Sequence, residues 1–288
     1  MGLCPLHADR RPSFLVEPGK NLFYCYGCGR GGDVIRFAEL YHGVRFTEAL
    51  TVLWRWRGAG SLLEDVSKFY QIQLHCQTAA RRYLAQRGVH QPEVIEQLRI
   101  GFAPGRCLGR WLPLLGHSRQ ALQQAGLLND AGHDSFSQRI VFPLEANLYG
   151  RSIGKAAPHR LLPGGKGGLY SWEKVRSYPD LILVEGLFDL AVLWQAGFPN
   201  VTCALGNHLN ARQRYQLRDR FPRTIYLAFD SDDNGSGQQA AARLAHDLQS
   251  EGIPTRRIQL PDRHDPNSFF VNGGQAHEFH RLLAGARL

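Results

Sequence analysis

Three of the six cysteines stand within the first 28 residues, and their spacing is that of a chelate. Cys4-x2-His7 is followed, after seventeen residues, by Cys25-x2-Cys28. Two residues between ligands let one tight knuckle turn both side chains toward a single ion, and Gly27 and Gly29 give such a knuckle its backbone freedom. Four nitrogen and sulfur donors suit one tetrahedral zinc ion with no open coordination position, so the site is structural or docking rather than catalytic. Three unrelated cysteines and a surface histidine would leave the repeated spacing unexplained. A disulfide framework would be unusual in 288 residues that open without a basic, apolar leader. Cys76, Cys107 and Cys203 lack paired spacing and are expected to be small core residues.

The charge balance points to polyanions. Lysine plus arginine number 34 against 25 acids, a net charge of +9, which favours phosphate contacts through counterion release but carries no sequence specificity. No run of 18 uncharged apolar residues exists; the nearest, Leu181 to Phe198, carries Glu185 and Asp189. The expectation is a cytoplasmic protein with no membrane partner.

Patterning divides the chain. After a β-like run at Asn21–Tyr26, Val34–Tyr41 and Thr47–Trp56 read as amphipathic helices, with Thr47 as N-cap. Gly58-Ala-Gly-Ser61 breaks the pattern, and Leu62 to Gly88 is helical again, stopped by glycine. Arg139–Leu144 and Gly150–Gly154 read as strands, and Pro163-Gly-Gly-Lys-Gly-Gly168 as a loop. Strands at Leu181–Val184, Val201–Leu205, Thr224–Phe229 and Arg256–Leu260 alternate with helices at Leu187–Ala196, Ala211–Arg220, Gly237–Glu251 and Gln275–Leu283. That alternation predicts a parallel sheet with helices on its faces. The five tryptophans are assigned to packing. The expected organisation is a zinc unit with following helices over 1–58, a linker over 59–66, a mixed α+β unit over 67–178, and a parallel-sheet unit over 179–288.

Acids gather where that sheet would bind a ligand. Glu185 follows one strand, with Asp189 four residues on; Asp230-Ser-Asp232-Asp233 ends another, and Asp262 and Asp265 follow a third. Carboxyl ends of parallel strands line the ligand crevice. Each acid alone could be ordinary turn chemistry, but three strands delivering carboxylates to one edge call for a divalent cation, Mg²⁺ or Mn²⁺, shared with substrate phosphates.

In this order the residues resemble bacterial DnaG-type primases. Cys4-Pro-Leu-His7, Pro12-Ser-Phe14 and Phe23-Tyr-Cys-Tyr-Gly-Cys28 resemble their zinc-binding domain. Arg87-Gly88 and Ile100-Gly-Phe-Ala-Pro104 are similar to the helical lead-in. Gln138-Arg-Ile-Val-Phe-Pro143 is similar to the basic strand of the polymerase domain. Glu185-Gly-Leu-Phe-Asp189 and Asp230-Ser-Asp232 resemble the Toprim elements. The resemblance implies an α/β fold: an N-terminal zinc ribbon, a mixed α+β primase subdomain and a Rossmann-like Toprim sheet. It implies a nucleotidyltransferase that makes short RNA primers on a single-stranded DNA template from ribonucleoside triphosphates. Glu185, Asp230 and Asp232 would be the catalytic, metal-binding acids, with Asp189 supporting and Glu185 open to a role as general acid or base. Arg139, with Arg151, Lys155 and Arg160, would bind template or nucleotide; Lys166 offers further charge.

The sequence also departs from the family. It begins three residues before Cys4, His159-Arg-Leu-Leu-Pro163 replaces a lysine-tyrosine-leucine-asparagine stretch, and Gly206-Asn207-His208 replaces Gly-Thr. No helicase-binding domain is recognisable, so a replicative helicase partner is not assumed. Those departures motivate two alternatives: a catalytically reduced single-stranded DNA-binding accessory protein of a mobile element, and a Toprim nuclease.

Overall fold

A computed structural model of the chain describes residues 1–57, 61–154, 157–218, 223–231 and 236–287. Asp232 and Lys155 therefore lie outside the described residues, as does most of the glycine break at 58–61.

The N-terminal unit is an antiparallel ribbon of β1 (Phe14–Glu17), β2 (Leu22–Cys25) and β3 (Gly31–Asp33), in that spatial order. Asn21 turns the first hairpin with a left-handed φ of 54°, a conformation asparagine tolerates. Helices α1 (Val34–His42) and α2 (Phe46–Arg57) pack together behind the ribbon. Asp33 caps α1 by accepting from the Arg36 N–H. Helix α2 starts at Phe46, so Thr47 falls inside it rather than capping it; the Glu48 carboxylate reaches back to the Arg45 N–H instead.

The middle unit opens with α3 (Leu62–Cys76), capped by the Ser61 hydroxyl, and α4 (Thr78–Gln86). One helical pattern thus becomes two helices, broken at Gln77, which is extended. Gly88, at φ 76°, ends α4 in a Schellman turn, with the Val89 N–H donating to the Leu84 carbonyl. Then come α5 (Pro92–Gln97), β4 (Gly101–Ala103), α6 (Leu108–Trp111), α7 (Arg119–Gln124), β5 (Arg139–Pro143), β6 (Leu148–Ser152), β7 (Arg160–Leu161) and α8 (Trp172–Val175). The four strands form one antiparallel sheet, β4-β5-β6-β7.

The last unit alternates β8 (Asp180–Val184), α9 (Leu187–Gln195), β9 (Val201–Cys203), α10 (Ala211–Arg218), β10 (Thr224–Ala228), α11 (Ser236–Ser250) and β11 (Thr255–Arg257), closing with α12 (Pro266–Val271) and α13 (Ala276–Ala284). Its sheet is wholly parallel, in the order β11-β10-β8-β9. Two of its strands are shorter than the sequence pattern. Strand β9 stops at Cys203 because Leu205 takes φ 56°, and β11 covers only the start of 256–260.

Cys76 corrects an expectation: it is exposed at the end of α3, not buried. Cys203 is buried, and Cys107 is half-buried with its thiol on the Asp134 carboxylate. Trp172 is buried; Trp111 and Trp194 are half-buried. Among the described residues no helix is long and apolar enough to cross a membrane.

Candidate metal centres and the cleft between the sheets

At the N-terminus the folding of two knuckles brings four donors together. The ligand atoms of Cys4, His7, Cys25 and Cys28 all lie within 4.8 Å of one another. Each knuckle closes on its own sulfur: the Leu6 N–H donates to Cys4 Sγ and the Cys28 N–H to Cys25 Sγ, both at 3.4 Å. Burial would raise the Cys25 thiol. The Ser13 hydroxyl and the Cys28 N–H, joined by bonds with Cys4 and Cys28, outweigh it and bring the group down to about 6. Burial raises Cys4. One easily formed thiolate among three clustered sulfurs, completed by an imidazole, fits tetrahedral zinc. A Cβ at Gly27 would sit 2.9 Å from both His7 Nε2 and Ser13 Oγ, so a larger residue there would displace one of them.

At the other end of the chain, parallel pairing aligns the carboxyl ends of β8 and β10. Strand order reverses between these two strands, which makes their common end the switch point where such sheets bind ligands. Glu185 leaves β8 and Asp230 follows β10, both half-buried, and the Asp230 N–H lies 3.4 Å from Glu185 Oε1. Asp189, one turn into α9, is buried; it accepts from the Gly186 N–H at 3.1 Å and the Asn267 N–H at 3.0 Å. Burial first, then the Asp265 and Asp230 carboxylates, push Asp189 well above the usual carboxylate range, and Arg87 opposes the shift. Such mutual repulsion is what a bound divalent cation relieves. Gly237 lets α11 close over the site: a Cβ there would meet the Asp230 carbonyl oxygen at 2.4 Å.

The antiparallel sheet packs against α9 with one side only. Phe142 stacks edge-on to Phe188 of α9 at 5.5 Å, and Ile140, Phe142 and Phe188 share one core. Register places Arg151 opposite Ile140 and Tyr149 opposite Phe142, so Arg151 and Tyr149 belong to that same side. Tyr149 is raised by burial and countered by Arg151, and His159 stacks on its ring at 5.5 Å. Arg139 and Arg160 take the other side, with Val141 and the buried Phe136. The Arg139 Nη1 donates to the carbonyls of Pro158 at 2.8 Å and Gly150 at 3.2 Å, which ties β5 to the β6–β7 segment. Lys166 crosses from the glycine loop to donate to the His208 carbonyl at 2.7 Å and that of Leu205 at 3.3 Å. This fastens the segment after β9, whose Gly206 N–H donates to the Glu185 carbonyl.

Asp9, Asn267 and Gly237, which the sequence does not single out, also border the two centres, as does Ser13 of Pro12-Ser-Phe14. Asp9 and Ser13 frame the metal knuckles in sequence, and that proximity is the signal that was available. Nothing local marks the other two.

A Cys₃His ribbon, a helical lead-in and a parallel sheet with acids at its switch point give one chain two candidate metal sites. Residues 1–66 match the CHC2 zinc finger family, residues 69–158 the N-terminal domain of the DNA primase catalytic core, and residues 182–270 the Toprim-like family. Matched in this order, the three segments follow the DnaG-type primase pattern over most of the chain. It is 31% identical to the DNA primase of Aquifex aeolicus over 97% of its own length and 62% of the relative's. The crystal structure of the Aquifex aeolicus primase, with zinc-binding and RNA polymerase domains, superposes with a TM-score of 0.67 at 29% identity. That match covers 98% of this chain and 77% of the other. A structure of the DnaG primase catalytic domain bound to single-stranded DNA matches with a TM-score of 0.66 at 25% identity, over 83% of each chain. The chain spans somewhat over half the length of the curated relatives it matches. The zinc ribbon and Toprim families imply a zinc site and a divalent-cation site.

Proposed function

We propose that the chain is a primase-type nucleotidyltransferase that builds short RNA primers on single-stranded DNA from ribonucleoside triphosphates. The observation that carries this reading is the Glu185–Asp230 pair at the switch point of the parallel sheet, with α9 packed on the side of the antiparallel sheet that bears Arg151 and Tyr149, in a chain that also holds the ribbon. Glu185, Asp230 and Asp232 would hold the cation, for which Mg²⁺ and Mn²⁺ both suit oxygen donors. When bound it would supply positive charge to the triphosphate and to the leaving pyrophosphate. Asp189 supports from beneath: its two backbone bonds fix the start of α9, and with it the direction in which Glu185 leaves β8. Arg151, exposed on β6, meets the phosphates of template or nucleotide. Lys155, four residues on in sequence, adds charge. Arg139 and Arg160 act behind the sheet, where Arg139 braces the strands that present Arg151 and Tyr149. The zinc ribbon engages template. The relatives are DNA primases, which favours neither the accessory-protein nor the nuclease alternative.

The test is incorporation of labelled ribonucleotides on unprimed single-stranded DNA with Mg²⁺ or Mn²⁺. Short RNA products are expected from the wild type and none from Asp230→Asn. Absence of product from the wild type, with zinc bound and DNA retained, would defeat the proposal.

A further inference from the structure

The ribbon's two chelating pairs are far apart in sequence, so something must hold them in register. The Asp9 carboxylate reaches both halves, the first directly and the second through Ser13. Its Oδ2 accepts from the Cys4 N–H at 2.9 Å and from the Ser13 hydroxyl at 2.6 Å, while Oδ1 accepts from the Arg11 N–H at 3.2 Å. Ser13 Oγ in turn lies 3.3 Å from Cys25 Sγ. The Ser13 backbone cannot drift, because its N–H donates to the Gly2 carbonyl at 3.0 Å and its carbonyl accepts from the Tyr26 N–H at 2.9 Å. Oγ is therefore delivered between the first knuckle and the second. The lack of space at Gly27, against this same hydroxyl and His7, shows how closely the second knuckle rests on it.

We infer that Asp9 and Ser13 are positioning residues of the zinc site, one carboxylate–hydroxyl bridge that locks Cys4 and Cys25 at ligating distance. Asp9 holds Cys4 through its backbone amide and Cys25 through the Ser13 hydroxyl. Loss of Asp9 frees both knuckles at once, whereas loss of Ser13 frees only the second. Partners behind the ligands commonly set about 10- to 100-fold in metal affinity, and this bridge acts on zinc retention. It holds whether or not the chain polymerises.

The experiment follows zinc release from the full-length zinc-loaded protein into excess chromogenic chelator. It compares wild type, Asp9→Ala, Asp9→Asn, Ser13→Ala and the Asp9→Ala/Ser13→Ala double variant. Asp9→Ala is expected to release zinc roughly 10- to 100-fold faster. Asp9→Asn, which keeps an acceptor oxygen, loses less. Ser13→Ala is intermediate, and the double variant falls short of the product of the two single effects, because they share one path. Cobalt-substituted protein gives a second readout: the thiolate-to-cobalt absorption moves in Ser13→Ala and in Asp9→Ala, which a purely structural role would leave in place. Wild-type release rates in both Asp9→Ala and Ser13→Ala would overturn the inference. So would fully independent effects with an unmoved cobalt spectrum, since Asp9 would then cap Cys4 alone. Should Asp9→Ala fail to fold, Asp9→Asn and Ser13→Ala still decide.

Discussion

Gly237 carries a constraint out of proportion to its size. Helix α11 begins against the Asp230 carbonyl, and a methyl group there would lie 2.4 Å from a backbone oxygen that cannot rotate away. Gly237→Ala should therefore move either the helix start or Asp230 itself. Overpacking of this kind costs about 1–3 kcal/mol, and a displacement near 1 Å at a reacting centre costs on the order of 100-fold in rate. The expected result is a folded protein by circular dichroism, a modestly lowered denaturation midpoint, and primer synthesis reduced by about two orders of magnitude. Undiminished synthesis would mean that Asp230 is not held by this contact. The acids were legible from their place after apolar runs. The glycine was not, because the need for it arises only when α11 folds back across the sheet edge.

Strand β5 joins the middle unit to the last through the ring of Phe142. Phe142 is fully buried and its ring meets Phe188 of α9 at 5.5 Å, Tyr149 of β6 at 6.4 Å and Tyr170 at 6.5 Å. Truncation to alanine in such a setting costs about 3–5 kcal/mol. Phe142→Ala is accordingly expected to lower the midpoint of chemical denaturation sharply and to loosen the cleft, so that activity falls even in the absence of denaturant. A shift within the range of surface substitutions would contradict this packing. Strands β8, β10 and β5 were legible because each offers an apolar run long enough to show. Strands β4 and β7, of three and two residues, are too short for any period to register, and tertiary pairing alone creates them. The break between α3 and α4 was hidden for a related reason, since neither glycine nor proline marks Gln77. The sidedness of the arginines was beyond reach as well: whether Arg139 or Arg151 faces the acids depends on the pairing of Ile140 with Arg151. A single sequence does not contain that register.

The whole molecule has two stability regimes. One core runs from Leu74 through Ile140, Phe142 and Phe188 to Phe279, so the segment matching the primase core and the segment matching Toprim share buried side chains. The ribbon stands apart: Cys4, Phe23, Cys25, Ala38 and Ala49 are buried, yet none belongs to any of the three hydrophobic clusters. A unit that small, with two of its buried residues spent on metal ligands, depends on the ion for its fold. Removing zinc with a strong chelator should therefore unfold the ribbon and leave the shared core intact. Scanning calorimetry of the full chain should then show one principal transition for the core in both states, at an unchanged temperature. A separate ribbon contribution should be present only with zinc. Hydrogen exchange would place the change, with amides of β1, β2 and β3 losing protection and those of β8 and β10 keeping it. A principal transition that falls on chelation would mean that the ribbon stabilises the other two units directly. On the proposed function, template engagement by the ribbon would then act on the acid edge through packing rather than through bound DNA.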